Sequence, residues 1–358
     1  MVRKKKQRRS DAVRQKTETA GSHRYSNVIA GMLLIGSFVL YLRNLCPTIY
    51  AGDSPTFSAS AWLLGVSHPP GYPLFSVLGK LFCVLPLGDI GFRTNLGTAV
   101  LGSGAVAGMY FLGKNLGINR FWSGFAATLF AVTRVFWDQC LGAEVYTLHA
   151  LLTVLVLSML FSKLYFPRKV AAIAFLLGVS MTNHFMSLFL FAASGLWLVL
   201  EFMSLRETFP GKNILTGLKA SFFLFLGLSL YLYLPLRAIH QPGINWGAPD
   251  TYEKTRDHIT RKQYKQLEFG SPFTPDQIEK KYQERKDSFQ RPDGKGFYSL
   301  AESKKAIEQI MLWEAKDKFL GHFFSELSSQ FAWILVIPGL FGLYQLMKIR
   351  PREISSMA

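Results

Sequence analysis

An all-α membrane protein is predicted: a bundle of about eight transmembrane helices, with short helices on its outer surface and a small outer cap, since the bilayer core takes about 20 apolar residues per helical span. Three observations predict it. Hydrophobic residues make up 49% of the 358 residues, with 30 phenylalanines and only 18% charged side chains, and they fall in long blocks. Short basic loops separate the blocks, and one hydrophilic stretch, residues 237–326, interrupts them. The formal charge of +17 would suggest nucleic acid in a soluble chain. Here the basic residues gather at the ends of apolar blocks, where membrane topology accounts for them, so no nucleic-acid partner is expected.

Residues 1–24 begin MVRKKKQRRS and lack an apolar run, which predicts a disordered basic tail on the cytoplasmic side. A transmembrane module is expected over 25–235, with its first outer loop at 44–91. Its first span is 27–42. No small-residue cleavage site follows that span, so it is expected to stay as signal and anchor. The loop after it, CPTIYAGDSPTFSASAWLLGVSHPPGYP, is too rich in Gly, Ser, Pro and Asp for bilayer core. Within it, 55–65 predicts a short helix whose Trp62, Leu63 and Leu64 can lie in the interface. His68–Pro73 is a stiff non-helical corner, because each proline fixes φ and pushes the preceding residue out of the helical region.

Residues 74–87 are short for a span and carry Lys80 in the middle, so they are read as a helix on the outer surface. The remaining spans are then 92–113, 121–137, 145–161, 170–182, 185–200, 214–234 and 327–347. That count places every short basic loop inside: Lys114 with Arg120, Lys163 with Arg168 and Lys169, Arg206 with Lys212, and the final Lys348, Arg350 and Arg352. Both termini are cytoplasmic in this arrangement, with the tail at 349–358. The segment 236–326, with turn signals at Pro242–Gly243, Pro249–Asp250 and Pro272, is read as the outer cap. Cys46, Cys83 and Cys140 lack metal spacing and are odd in number, so they are read as small apolar side chains, not disulfides.

The same topology puts Asp53, His68, Glu144, His184 and the cap on one outer face. Ionisable groups gathered on one face of a membrane bundle usually mark function. No nucleotide-binding glycine pattern occurs, so a reaction drawing on a donor in the bilayer suits them, a lipid-phosphate-linked sugar being such a donor. A carboxylate takes the proton of an attacking hydroxyl, and arginines hold the leaving phosphate through a planar fork. Asp53 fits the base; Arg237, Arg256, Arg261 and Lys262 are available for phosphate. The residues alone leave other roles open. Asp53 is also a preferred N-cap, Glu144 complements a helix N-terminus, and Asn245 with Trp246 can form a packed turn. No cofactor is expected; scattered acids and histidines are compatible with a divalent metal but carry no ligand spacing.

YAGDS, LGVSHPPGYPLF, AEVYTLHALL, GVSMTNH, YLPLRA, INWGAPDT and RKQY, in this order, resemble the successive signatures of one branch of the GT-C superfamily of integral-membrane glycosyltransferases. That branch holds the animal transmembrane protein O-mannosyltransferase acting on immunoglobulin-like plexin-transcription-factor domains, and bacterial relatives. The resemblance covers about residues 27–264. It implies a GT-C-type bundle and inverting transfer of a sugar, mannose in the animal enzymes, from a polyprenyl or dolichyl phosphate to a protein hydroxyl. It implies Asp53 as the catalytic acid of the first outer loop and Glu144 as the assisting acid of the second. His68, Tyr72, His184, Arg237, Asn245, Trp246, Arg256, Arg261 and Tyr264 are then the substrate-binding set, with a lipid-linked sugar, a protein acceptor and the bilayer as partners. Relatives commonly read GDSGE where this chain reads GDSPT, so any role of that second acid is absent. They are also often longer, so acceptor recognition is expected to be reduced or supplied by another protein. ISSMA carries no retention signal, which favours a bacterial inner membrane over endoplasmic reticulum. The alternative is a non-enzymatic transporter of lipid-linked sugars or a scaffold, but a transporter places its ionisable groups near the midplane.

Overall fold

The computed structural model describes residues 24–205, 213–264, 275–285, 303–305, 307–311, 321 and 325. The basic tail before residue 24, the expected span at 327–347 and the tail at 349–358 lie outside the described residues. The chain divides into two compact units, one built on residues up to Thr260 and one running from Arg261 to Glu353.

Among the described residues of the first unit the elements are α1 (Arg24–Asn44), α2 (Ser54–Leu63), α3 (Pro73–Cys83), α4 (Ile90–Asn115), α5 (Arg120–Val132), α6 (Arg134–Gln139), α7 (Tyr146–Leu160), α8 (Phe166–Met181), α9 (Ser187–Leu205), α10 (Asn213–Leu228), a 3-10 turn at Ser229–Leu232, α11 (Tyr233–Ile239) and α12 (Tyr252–Ile259). Among the described residues, three helices are long and apolar enough to cross a membrane: α1, α4 and the continuous Ile214–Ile239. α7 and α9 are apolar but shorter.

α4 is the centre. Asp89 caps it, accepting the Phe92 N–H at 2.8 Å. Small residues then run down its buried faces, Gly97, Ala99, Gly102, Ala105 and Val106 among them. Without bulky side chains, neighbours approach the backbone closely, as small residues allow between membrane helices. A Cβ on Gly102 would meet the Cys140 Sγ at 2.5 Å, and one on Gly108 the Val154 Cγ2 at 2.7 Å. The largest buried cluster lies here, around Tyr41, Tyr110 and Phe136, and Tyr41 gives its hydroxyl to the Ala131 carbonyl at 2.9 Å. The three cysteines are free, Cys83 and Cys140 buried and Cys46 partly so.

α8 and α10 cross at glycine. A Cβ on Gly178 would clash with the Leu224 carbonyl oxygen, and one on Gly227 would lie 2.6 Å from that of Phe175. Backbone cannot yield as a flexible side chain does. Gly178→Ala is expected to lower stability by about 1–3 kcal/mol, the usual cost of overpacking. Gly195→Ala, in open space on α9, is expected to leave the thermal midpoint in detergent unchanged. Equal midpoints for the two variants would contradict the crossing.

Two boundaries differ from the expected spans. The segment expected as one helix over 121–137 breaks at Thr133, whose backbone is extended (φ −61°, ψ 131°), so α5 ends and α6 starts afresh. Lys169, expected in a basic loop, lies inside α8 and is only 4% exposed. Its Nζ meets the Glu201 Oε1 of α9 at 2.6 Å and the Leu160 carbonyl at the end of α7 at 3.3 Å, so a buried charge is paired where three helices meet.

The segment read as a surface helix at 74–87 forms α3, whose 11 residues are fewer than a span takes. Phe75, Ser76, Gly79 and Cys83 are buried, while Val77 and Leu81 are exposed. Lys80 reaches back to the Trp62 carbonyl at the end of α2 and lies 4.4 Å from the Trp62 ring centroid. Arg93 closes the end of α3 through the carbonyls of Cys83, Leu87 and Gly88.

In the second unit, α13 (Pro275–Arg285) is polar, and Glu279 pairs with Lys304 at 2.6 Å and with the Gln283 amide at 2.7 Å.

Candidate active site

The loop after α1 is held by α4. Asn95, fully buried, gives its side-chain amide to the carbonyls of Cys46 (3.0 Å) and Thr48 (2.7 Å), and Thr98 gives its hydroxyl to Gly142 at 2.8 Å. Cys46 N–H reaches the Leu141 carbonyl at 3.1 Å, and Tyr50 donates its hydroxyl to Asp138 at 3.0 Å. The loop after α1 and the loop between α6 and α7 are thereby fastened together. Asn95→Ala leaves two carbonyls without their donor, and a buried polar group so orphaned costs about 1–3 kcal/mol. A lower thermal midpoint is expected; an unchanged one would mean that Asn95 does not hold the loop.

Asp53 stands at the start of α2, yet its side chain makes no capping hydrogen bond. Of the two roles the residue type allows, capping is therefore not the one in use. The carboxylate is 63% exposed, and its Oδ2 lies 3.6 Å from the His68 Nε2. The Asp53 backbone N–H lies near enough to Glu144 to favour its ionised form. The Glu144 pKa is nevertheless pushed up to about 7, first by burial, then by the charge of Asp53 and to a lesser degree of Asp138, against the stabilising Asp53 N–H. The site holds one exposed carboxylate and one carboxyl that keeps its proton to near neutral pH.

His68 is packed on the proline corner, with ring centroids 5.4 Å from Phe57, 5.1 Å from Tyr72 and 6.2 Å from Trp246. The Pro69–Pro70 peptide is cis. Gly71 (φ +95°) brings the backbone so close to α11 that a Cβ would lie 2.5 Å from the Leu234 Cδ2, and only glycine accepts that conformation without strain. Tyr72 and Pro73 start α3, proline taking the first turn, where no N–H is needed. Behind Tyr72, 6.4 Å away, is His184, which is 8% exposed and flanked by Tyr146 at 5.2 Å and His149 at 5.4 Å.

The segment after α11 forms the opposite wall. Val66 N–H reaches the Ile244 carbonyl at 2.8 Å and Trp246 N–H the Val66 carbonyl at 3.1 Å, a short parallel bridge through Asn245. Asn245 gives its amide to the Ala238 carbonyl at 3.1 Å, so the packed-turn role is in use there, while Trp246 turns a half-exposed ring towards His68. Arg237, expected to meet phosphate, donates its Nε to the Leu64 carbonyl at 2.6 Å and its Nη2 to that of Leu63 at 3.2 Å. With Lys80 it supplies cations to the negative end of α2. Arg256 is paired with the adjacent Asp257 at 2.8 Å on the surface. Arg261 and Tyr264 belong to the second unit, where the guanidinium lies 5.3 Å over the Tyr264 ring.

The structure therefore gathers Asp53, Glu144, His68, Tyr72 and Trp246, sets His184 behind them, and commits Arg237 and Asn245 to backbone. Tyr50, Asn95 and Asp138 are members that the sequence reading did not assign to the site. Of these only Asn95 left a signal, a carboxamide inside an expected span. Among the described residues, no group of three or more His, Cys, Asp or Glu side chains is arranged to hold a metal.

Residues 53–206 match the family described as the Protein O-mannosyl-transferase TMEM260 N-terminal domain. The mouse protein named Protein O-mannosyl-transferase TMEM260 is 30% identical over 236 residues, covering 63% of this chain and 32% of that protein. A Dictyostelium discoideum protein of the same name is 24% identical over 259 residues, 66% of this chain and 31% of its own length. The chain thus spans about a third of the length of these curated relatives. No solved structure matches it significantly.

Proposed function

We propose that this chain, a relative of the TMEM260-type protein O-mannosyl-transferases over residues 53–206, is itself a GT-C-type glycosyltransferase. It moves a sugar, mannose by that kinship, from a polyprenyl or dolichyl phosphate to a Ser or Thr hydroxyl of a protein. The observation that carries this reading is Asp53: an exposed carboxylate at a helix start, unused as a cap, with the half-buried acid Glu144 beside it.

In the proposed reaction the acceptor oxygen attacks the anomeric carbon from the face opposite the carrier. The hydroxyl proton passes to the Asp53 carboxylate as the new C–O bond forms. The bond from the anomeric carbon to the carrier phosphate oxygen breaks, its electron pair leaves with the phosphate, and the configuration inverts. Glu144, protonated, orients sugar or acceptor by hydrogen bonding. His68 with the corner, Tyr72 and Trp246 shape the pocket, and Trp246 offers a flat apolar face to a pyranose. Since Arg237 is committed to the end of α2, Arg256 is the proposed partner of the carrier phosphate.

About eight spans are proposed, with α3 lying on the outer surface, both termini cytoplasmic and the site on the outer or luminal face; the positions of the short basic loops support this arrangement. A bacterial inner membrane is the proposed location.

The test uses vesicles carrying the full chain, offered mannose either on polyprenyl phosphate or on a nucleoside diphosphate. Labelling of protein from the lipid-linked donor alone is expected. Labelling from the nucleotide donor, or binding of lipid-linked sugar with no transfer from any donor, would overturn the reading.

A further inference from the structure

We infer that His258 is a positioning residue for this site: wedged beneath the proline corner, it fixes Ser67 and through it holds His68 opposite Asp53. The inference rests on the reading of Asp53 as the reacting carboxylate.

His258 lies on α12, 5% exposed, and its Nε2 is 3.0 Å from the Ser67 carbonyl oxygen. That oxygen accepts, so Nε2 carries the proton. The ring is held between two stretches of backbone that offer no side chain. A Cβ on Gly71 would lie 3.3 Å from its Cδ2, and one on Gly247 3.2 Å from its Nδ1. Burial keeps the imidazole neutral, with its pKa pushed down to about 4, so the tautomer that donates to Ser67 persists through the neutral range.

The bond completes a row. The Gly65 carbonyl accepts the Tyr233 hydroxyl at 3.0 Å, Val66 makes both bonds of the bridge, and the Ser67 carbonyl accepts His258. Every anchor of residues 65–67 in this row comes from residues 233–258, and the Ser67 anchor is the last before His68. His68 in turn has its Nδ1 3.3 Å from the Ser67 Oγ and its Nε2 3.6 Å from Asp53. At 3.6 Å the Asp53 contact is just beyond a hydrogen bond. A shift of a few tenths of an ångström in the Ser67 peptide decides whether the contact tightens when substrate arrives, and misplacement by about 1 Å can cost a hundredfold in rate.

Full-length His258→Phe, which fills the space without a donor, and His258→Gln, which keeps one, are compared in vesicles with polyprenyl-phosphate-mannose. Turnover of His258→Phe is expected to fall about 10- to 100-fold with KM for the donor unchanged, and that of His258→Gln to stay within about threefold of the parent chain. A readout independent of transfer is the rate at which diethylpyrocarbonate modifies His68, mapped by mass spectrometry. It is expected to rise several-fold in His258→Phe and not in His258→Gln. A folded His258→Phe with parental turnover and parental His68 modification overturns the inference. Should that variant fail to fold, His258→Gln is compared with His258→Asn, whose amide is too short to reach Ser67; equal behaviour of the two is equally fatal. Failure of the parent chain to transfer mannose would count against the proposed function, and the His68 modification rates would still decide the inference.

Discussion

Asp53→Asn is expected to lower sugar transfer by about 10²–10⁴-fold, the range that a positioned proton acceptor contributes. The amide matches the carboxylate in size, and the residue is exposed, so packing is untouched. The backbone N–H beside Glu144 is also retained. Abundance in the membrane and thermal midpoint should match the parent chain, which leaves proton acceptance as the one property removed. Asp89→Ala supplies the contrast, because Asp89 is a cap in use, accepting the Phe92 N–H. That substitution should cost about 1 kcal/mol of stability, as lost caps do, with turnover per folded molecule preserved. Retention of transfer within threefold in Asp53→Asn would remove Asp53 from the mechanism.

Glu144→Gln is expected to change how stability depends on pH. In the folded chain the pKa of Glu144 is raised to about 7 from an ordinary 4.5, so the folded state holds this proton more tightly than the unfolded state does. The stabilisation this provides is complete below about pH 4.5, declines as pH rises through about 7, and is gone above that. Glutamine has the same shape and has no charge to develop beside Asp53 and Asp138. The thermal midpoint of the variant in detergent should therefore exceed that of the parent at pH 8, with the difference closing on titration towards pH 4.5. Parallel curves for the two chains would show that Glu144 ionises as freely in the fold as in the unfolded chain.

The sequence by itself determined the membrane class, because long apolar blocks have few other stable solutions. It also determined the shortness of α3, since length and a central lysine are local properties. The proline corner and the acids at the ends of helices were legible for the same reason. What Asp53 does with its carboxylate was not legible: Asp at a helix start reads alike whether it caps or stands free, and only the three-dimensional path of the loop separated Asp53 from Asp89. Arg237 read as a phosphate ligand because a sequence shows a charge but not the orphaned carbonyls of Leu63 and Leu64 that claim it. Lys169 read as loop because its partner Glu201 lies 32 residues away on another helix. His258 and Ser67 are 191 residues apart, and no period or spacing links them. Local pattern decides which segments enter the membrane; tertiary structure decides which backbone groups are left without partners at the helix ends, and so which side chains are held to the scaffold and which remain for chemistry.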